Sequence, residues 1–545
     1  MDKVYIKYGL IVFITAILFF TSRNGEKNKT IEECYMENIA SDPPTLDPHM
    51  CDDNVSWRVI SDLFEGLVCY NQKNEIELCG AKKYDISDDG LTYKFYLRDN
   101  AKWSNGDKVT ADDYIFAFQR AVTPATLAKY NTQMLDIVNA ADIIKGDLSE
   151  KKLGVSKEND HTFVIKLKNK NKEFLHYLTL PTFFPLHRET INKYGASWAT
   201  NIKNVVSNGA YKGTEWVHNS HVKLEKNEHF WNTENVKIKN VRFLMINNTT
   251  DDMNKFSSGG EHMTYYRLPV NSLDWYKKKF GEEVVSYKQL SQERLILNIK
   301  HKKLEDIRVR KALSMTVDRD RLVTSVFKNG IPSYCAILET IANDKFSNEL
   351  DTIEEFAWVK LEFKERVEKA KKLLEEVGYT KDNPLIIEMA FPTGGNHKSV
   401  AEAIQTTWNN VFGGMVICTL LFEDWSIFLQ NMKNGKYDIC RCGWIADLDL
   451  PSNFSMLYTT GNSCNFSGYS NPEVDTLYAE SLLQDTEEQY FLKQKEINKI
   501  IMCDYVAIPY ASTENRRLVS KKIKGVDFSR NKLDRFSTKY FELAK

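Results

Sequence analysis

The chain of 545 residues is too long for a single hydrophobic core, so its length predicts two or three domains. Hydrophobic residues make up 42% of the chain and charged residues 27%, a balance typical of soluble globular proteins. The net charge of −1 leaves no excess of basic side chains to neutralise a phosphate backbone, which argues against binding to nucleic acid.

The N-terminus has the features of an export signal. Lys3 and Lys7 precede an apolar run over 10–20, which is shorter than the about 20 residues that a helix needs to cross a bilayer. This order predicts a secretory signal peptide over residues 1–22. If the cut follows Ser22, Phe20 stands where a small residue is expected, so an uncleaved N-terminal anchor stays an alternative, as does an ordinary buried helix.

The first half of the chain reads mainly as strands. Apolar and polar residues alternate over 91–98, directly after the turn at Asp89-Gly90, and this predicts a half-buried strand. Thr110 and Asp113 have the spacing of a capping box, so a helix is expected to begin there and to run to Val122.

The ten cysteines leave two interpretations open. Cys69 and Cys79 flank a turn-rich segment, so a disulfide across a hairpin is one alternative in an exported chain. Buried free thiols are the other. Cys440 and Cys442 share one face of a predicted strand, but the spacing of a zinc site is absent, and we expect neither a metal nor another cofactor.

The second half changes to alternating strands and helices, and it begins with a helical region predicted over 304–327. We predict strands over 385–390, 415–422 and 437–442, with helices over 398–409 and after Asp424 between them. Strands joined by helical crossovers are parallel, and their carboxyl ends meet at one edge of the sheet.

The segment 437–447 carries the strongest functional signal. Arg441 lies within an apolar strand that is expected to stop at Gly443, which delivers Trp444 and Asp447 to the carboxyl edge, where parallel α/β sheets bind ligands. His397 follows another strand at the same edge, and the helix that begins there adds partial positive charge. We therefore expect His397, Arg441 and Asp447 to converge in one cleft suited to a small zwitterion.

No enzyme motif is evident. The chain contains no nucleophile elbow, zinc-protease helix, P-loop or dinucleotide-binding loop. Asp438, Asp447 and Asp449 are the candidates for a pair of hydrolytic carboxylates, but turn chemistry before Pro451 explains the last two equally well. Binding without catalysis is the prediction, and a secreted hydrolase is the alternative from another class.

Several ordered motifs resemble the periplasmic oligopeptide-binding proteins, the solute receptors of peptide ABC transporters, from about Thr30 to the C-terminus. They lie at 40–48, 62–67, 85–98, 103–107, 109–114, 207–211, 228–231, 306–313, 317–319 and 437–447. The resemblance implies an α/β, bilobed periplasmic-binding-protein-like fold of type II, with three domains and discontinuous lobes joined by a hinge. It places lobe I near 30–77, 197–292 and 514–545, an additional small domain near 78–196, and lobe II near 293–513.

The resemblance also implies roles for individual residues. Asp447 corresponds to an aspartate that pairs with the α-ammonium of a peptide, and Arg441 and His397 to residues that meet its carboxylate. Tyr130 and Trp444 correspond to aromatic residues of the cleft, and Glu65–Val68 to a strand that bonds the ligand backbone. The expected ligand-binding set is Asp447, Arg441, His397, Trp444, Tyr130, Glu65, Gly66, Leu67, Gly443 and Ile445.

The implied function is a periplasmic, monomeric receptor that delivers short peptides to an inner-membrane ABC permease. The chain departs from the family pattern at Met432, where some relatives carry a second arginine, and at Ser291 and Ile445, where some carry a cysteine pair. The residues at Ala511-Ser512 also replace aromatic side chains of the cleft wall. These departures leave dipeptides, murein peptides or a metal chelate as alternative ligands.

Overall fold

A computed structural model describes residues 34–393, 397–462 and 464–544. The predicted signal peptide over 1–22 lies outside these residues. Within them, no helix combines the length and the apolar character that crossing a membrane requires.

The strands form three larger sheets and two two-stranded sheets among the described residues. In chain order they are β1 Cys34–Asn38, β2 Val68–Tyr70, β3 Ile76–Leu78, β4 Ala81–Ile86, β5 Thr92–Leu97, β6 Val155–Asn159, β7 Thr162–Lys166, β8 Tyr211–Val217, β9 His221–Lys226, β10 Asn240–Leu244, β11 Val284–Leu297, β12 Ile331–Pro332, β13 Leu385–Pro392, β14 Val416–Glu423, β15 Ile439–Ile445, β16 Ala507–Leu518, β17 Ile523–Lys524 and β18 Glu542–Leu543.

Helices of one to four turns connect and cover the sheets. They are Asn54–Leu63, Ala111–Val122, Ala140–Lys145, Phe174–Tyr177, Arg188–Tyr194, Thr249–Ser257, Leu273–Phe280, Lys302–Glu305, Ile307–Met315, Arg319–Arg321, Ile341–Asp344, Phe363–Val377, His397–Val411, Trp425–Lys433, Ser452–Ser455, Pro472–Leu482 and Glu487–Cys503.

Two four-stranded sheets belong to the first half of the chain. One has the order β1-β10-β9-β8, and the other has the order β4-β5-β7-β6. The predicted strand over 91–98 is confirmed as β5, whose residues alternate between half-buried and buried. The predicted capping box is also confirmed, because Asp113 accepts from the backbone and hydroxyl of Thr110 and the helix Ala111–Val122 follows.

The third sheet has six strands in the order β12-β16-β11-β15-β13-β14. β13 pairs in parallel with both β14 and β15, so the predicted β-α-β-α-β unit and its common carboxyl edge are confirmed. β11 and β16 pair with each other in antiparallel fashion over 14 and 12 residues, and β11 also pairs with β15. The predicted borders between lobes, at 292/293 and 513/514, fall inside β11 and β16, and the domain division stays a prediction.

Three local predictions need correction. β15 does not stop at Gly443 but continues to Ile445, because Trp444 and Ile445 pair with Gln292 and Ser291 of β11. Of the predicted strand Glu65–Val68, only Val68 is in a strand. The helical region predicted over 304–327 is interrupted at Asp306, whose side chain caps a new helix by accepting from the backbone N–H of Arg308, and again after Met315.

The cysteines divide between the two interpretations. Cys69 and Cys79 form a disulfide across the β2–β3 hairpin, with Cα atoms 6.2 Å apart, so the disulfide alternative holds for this pair. Cys440 and Cys442 remain thiols, buried among Phe428, Met432 and Tyr437.

Candidate functional site

The guanidinium of Arg441 is held by a carboxylate that the sequence analysis missed. Glu293 lies opposite Gly443 in the β11–β15 register, so its side chain reaches Arg441 diagonally. Arg441 Nε and Nη2 donate to the two oxygens of Glu293 at 2.7 and 2.5 Å, and the Tyr510 hydroxyl donates to the same carboxylate at 3.3 Å. Burial opposes the charged form of Arg441, but the Glu293 carboxylate outweighs it and raises the pKa of Arg441.

Gly443 leaves the space that this ion pair occupies. A Cβ atom at this position would lie 2.5 Å from Arg441 Nη2 and 3.1 Å from Glu293 Oε1. Glycine is unfavourable in a strand, but here the lack of a side chain makes room for the ion pair.

Gly443→Ala is expected to weaken the binding of a ligand carboxylate by about two- to tenfold. The added methyl group forces the Arg441 side chain out of its rotamer, and such a change costs about 0.5–1.5 kcal/mol. Isothermal titration calorimetry measures this change, and Gly461→Ala, at a turn where a Cβ meets nothing within 4 Å, is the control for backbone strain. An unchanged affinity for Gly443→Ala would show that the position of the guanidinium is unimportant.

His397 and Arg441 line the same cavity, together with Glu293. The cavity has a volume of about 750 Å³, within the range of ligand sites. His397 is the first residue of the helix His397–Val411, just beyond β13, as the sequence predicted for the carboxyl edge. Burial lowers the pKa of His397, and the nearby Arg441 lowers it further, against the opposing effect of Glu293. His397 is therefore neutral at pH 7.

The affinity of the wild-type protein for a peptide is expected to gain a contribution from His397 as the pH falls. A ligand carboxylate beside His397 raises its pKa, so binding takes up a proton. The contribution grows as the pH falls through the pKa of the bound form and is complete below the lower pKa of the free form. A rise of one pKa unit corresponds to about tenfold in affinity. Calorimetry of the wild type and of His397→Gln at pH 7.5 and 5.5 measures it: the affinity of the wild type relative to the variant must rise at pH 5.5, and an unchanged ratio would show that His397 takes up no proton on binding.

Asp447 lies in a second, smaller cavity of about 70 Å³. Its carboxylate accepts from Arg535 Nη2 at 3.2 Å, and the Arg535 guanidinium carbon lies 3.0 Å from the centre of the Trp57 ring. Tyr130 lies beside Asp447. Burial raises the pKa of Asp447, although Arg535 and the Tyr130 hydroxyl lower it in part. A further cation that reaches Asp447 is therefore favoured, because it stabilises the ionised carboxylate.

Asn453 fixes the chain between β15 and Asp447. Its side-chain oxygen accepts from the backbone N–H of Asp447 at 3.0 Å and from Nε1 of Trp444 at 3.3 Å. Trp444 is thus directed by a hydrogen bond as well as by packing against the cores on either side of it.

The prediction that His397, Arg441 and Asp447 converge in one cleft stays a prediction. His397 and Arg441 share one cavity, but Asp447 lines the other. Asp447 follows Arg441 by six residues, and the strand persists through most of them. At roughly 3.3 Å per residue, six residues of extended chain place their Cα atoms at most about 20 Å apart.

The edge of β15 between these charges has backbone groups directed away from β11. The N–H of Ala446 donates to the carbonyl of Leu290 at 2.8 Å, so alternation directs the polar groups of Gly443 and Ile445 to the opposite edge. The register with β13 on that side ends at Ala390↔Cys440. Within the described part of the chain, no strand pairs with this edge beyond Cys440.

The segment Glu65–Leu67 serves mainly internal contacts. The Glu65 carboxylate accepts from Trp231 Nε1 and from Lys539 Nζ, the latter at 3.3 Å. The carbonyl of Gly66 accepts from Gly80, and that of Leu67 accepts from Cys79 and Ala81. Glu65 lines the cavity of Asp447. Gly66 and Leu67 use their carbonyls for internal hydrogen bonds and do not form a continuous strand for a ligand backbone.

The arrangement does not support the hydrolase or metal alternatives. Asp438 precedes β15 and is paired with His301 and Lys303 at 2.9 Å, while Asp449 accepts from the backbone of Ala342. Neither forms a carboxylate pair with Asp447 across a cavity.

Two three-residue sets in the described chain have ligand atoms close enough for a metal ion: Cys69, Glu77 and Cys79, and Asp107, His187 and Glu189. In the first, the cysteines are bonded to each other. In the second, His187 Nδ1 accepts from the backbone of Thr190, so its other ring nitrogen carries the proton that it donates to Asp107.

Known proteins resemble the chain over most of its length. Residues 75–465 match the family model described as bacterial extracellular solute-binding proteins, family 5 Middle. The chain is 32% identical over 491 residues to the periplasmic oligopeptide-binding protein OppA of Haemophilus influenzae, covering 90% of each chain. It is 30% identical over 493 residues to the periplasmic murein peptide-binding protein MppA of Escherichia coli, covering 90% of this chain and 89% of that one.

Solved structures agree with these relatives. The crystal structure of Haemophilus influenzae OppA in complex with RPPGFSPFR has a TM-score of 0.79 at 31% identity, covering 94% of this chain and 99% of that one. The Escherichia coli murein tripeptide-binding protein MppA has a TM-score of 0.81 at 29% identity, with the same coverage. The predicted bilobed α/β fold is confirmed.

Proposed function

Because the chain belongs to the bacterial extracellular solute-binding proteins of family 5, we propose that it is an extracytoplasmic peptide receptor that delivers short peptides to an inner-membrane ABC permease. The observation that carries this proposal is the edge of β15, with an anion beyond its carboxyl end and a cation near its middle. Asp447 follows the strand, and Arg441 with His397 lies near its middle. A receptor of this kind binds its ligand without chemical turnover.

The peptide adds to β15 as an antiparallel strand. Its ammonium group meets Asp447, its backbone bonds Gly443 and Ile445, and its carboxylate reaches the cavity of Arg441 and His397. Main-chain hydrogen bonds and charges at the termini are present in every peptide, so this mode of binding accepts many sequences. The chain between Arg441 and Asp447 limits a peptide that reaches both residues to about six residues, at roughly 3.3 Å each.

Closure of two lobes over the peptide completes the proposal. We assign the sheet β1-β10-β9-β8 to lobe I, β4-β5-β7-β6 to the small domain and the six-stranded sheet to lobe II. Lys328 Nζ donates to Asn271 Oδ1 at 2.7 Å across the proposed border, and Lys170 pairs with Asp485. A ligand that touches both lobes shifts the population toward the closed form.

One argument for the alternative ligands, the departure from the family pattern at Met432, fails. Met432, which replaces a possible second arginine, is buried beside Phe428 and Tyr437 and does not line either cavity of the site. A murein-derived peptide stays the second candidate, because it carries the same terminal groups.

Mass spectrometry of the ligand released from purified protein tests the proposed function. The expected result is a mixture of peptides of up to about six residues, and a change in tryptophan fluorescence when synthetic peptides of that length are added. Release of a non-peptide ligand, together with no response to any peptide pool, would contradict it.

A further inference from the structure

The cavity of Arg441 has more positive than negative side chains. Its cations are Arg267, Lys328, Arg441 and Arg516, and its carboxylates are Glu293 and Glu514. The cations exceed the carboxylates by two charges, and His397 adds capacity for a third. This excess is confined to a cavity of about 750 Å³, whose protein walls screen charge less than bulk water does.

Both carboxylates of the cavity already have partners. Glu293 accepts two hydrogen bonds from Arg441, and Glu514 accepts from Arg516 Nη2 at 3.1 Å. Arg516 also donates to the carbonyl of Lys328 at 3.0 Å, which fixes its guanidinium against the cavity wall. Arg267 and Lys328 therefore account for the excess of positive charge in the cavity.

The hydrogen-bond partners of Arg267 and Lys328 are neutral amides. Arg267 Nη2 donates to Gln289 Oε1 at 2.6 Å, and Lys328 Nζ donates to Asn271 Oδ1 at 2.7 Å. Asp534, the nearest other acid to Arg267, is bound by two hydrogen bonds from Arg517. An arriving anion therefore finds two cations that are positioned but not neutralised.

A peptide carboxylate supplies only one of the two missing negative charges. We propose, resting on the function proposed above, that the receptor selects peptides with aspartate or glutamate as the C-terminal residue. The terminal carboxylate lies toward Arg441 and His397, and the acidic side chain lies toward Arg267 and Lys328. The planar guanidinium of Arg267 suits two-pronged recognition of a carboxylate, which lysine does not offer.

A matched pair of peptides tests the selection. Ala-Ala-Ala-Ala-Ala-Glu and Ala-Ala-Ala-Ala-Ala-Gln differ only in the charge of the last side chain, and calorimetry measures both dissociation constants at 0.15 M salt. The peptide with glutamate is expected to bind about tenfold more tightly, as one charge-assisted contact allows.

Arg267→Gln is expected to reduce this ratio to within about twofold of one, and the variant must still bind the glutamine peptide with a measurable affinity. That second affinity also shows that the variant is folded. Arg321→Gln, which changes an exposed arginine outside the cavity, is the matched control and keeps the tenfold ratio.

The outcomes separate this inference from the function on which it rests. If neither peptide binds to the wild type, the proposed peptide receptor is wrong. If both bind with equal affinity, the receptor stands and the acidic selection is overturned. A ratio that persists in the double variant Arg267→Gln, Lys328→Gln also overturns the assignment to these two cations.

Discussion

Asp447→Asn is expected to weaken the binding of a hexapeptide with a free α-amino group by about 10- to 150-fold. A hydrogen bond to a charged group contributes about 1.5–3 kcal/mol, and each 1.4 kcal/mol is a factor of ten. Asparagine keeps the shape of the side chain but loses the charge that attracts the ammonium group. Calorimetry at pH 7.5 measures the effect, because burial raises the pKa of Asp447 and a lower pH would favour the protonated carboxyl group.

The N-acetylated form of the same hexapeptide provides the control for this prediction. It has no ammonium group, so the wild type and Asp447→Asn must bind it with similar affinity. Asp147→Asn, at an exposed position of the small domain, controls for the general loss of one negative charge and leaves both affinities unchanged. Equal binding of the free-amine peptide by the wild type and Asp447→Asn would remove Asp447 from the site.

Arg441→Met is expected to lower the free energy of unfolding by about 3 kcal/mol in protein prepared without peptide. The substitution leaves the Glu293 carboxylate largely buried without its cation, and loss of one partner from a buried ion pair costs about 3–5 kcal/mol. Urea unfolding followed by circular dichroism measures the change. The same variant also loses affinity for peptides, because the ligand carboxylate loses its guanidinium.

A second substitution distinguishes the ion pair from simple packing. Replacing both partners, as Arg441→Met with Glu293→Leu, removes the unpaired charge and is expected to recover most of the lost stability. Peptide affinity is not recovered, since the cation is still missing. A double variant as unstable as Arg441→Met would show that the packing of the arginine, not the unpaired Glu293, explains the loss.

The sequence predicted those parts of the fold that depend on local patterns. Alternation of apolar residues located β5, the spacing of Thr110 and Asp113 located a helix start, and helical crossovers implied the parallel strands β13, β14 and β15. These features follow from periodicity and capping, which operate within a few residues. His397 is at the predicted edge for the same reason.

The predicted end of β15 was wrong because tertiary pairing overrides the local preference of glycine for the end of a strand. Gly443 reads as a strand terminator, yet pairing with β11 carries the strand to Ile445, and the space at Gly443 is occupied by an ion pair from neighbouring positions. Arg441 and Asp447 line separate cavities beside this strand, and their convergence in one cleft stays a prediction.

No local sequence pattern predicted the charged side chains that pair with the site residues. Glu293 is 148 residues from Arg441, and Arg535 is 88 residues from Asp447. Arg267 and Arg516 likewise join the cavity from separate segments. Such partners are set by the path of the chain through β11 and β16, and no periodicity or short motif reports that path.

The crystal structure of the protein with an alanine hexapeptide tests the central claim most directly. The account predicts a peptide antiparallel to β15, with its ammonium nitrogen within about 3 Å of Asp447, hydrogen bonds to the backbone of Gly443 and Ile445, and its carboxylate in the cavity of Arg441 and His397. A peptide bound elsewhere, or one that leaves the edge of β15 beyond Cys440 without backbone hydrogen bonds, would contradict it.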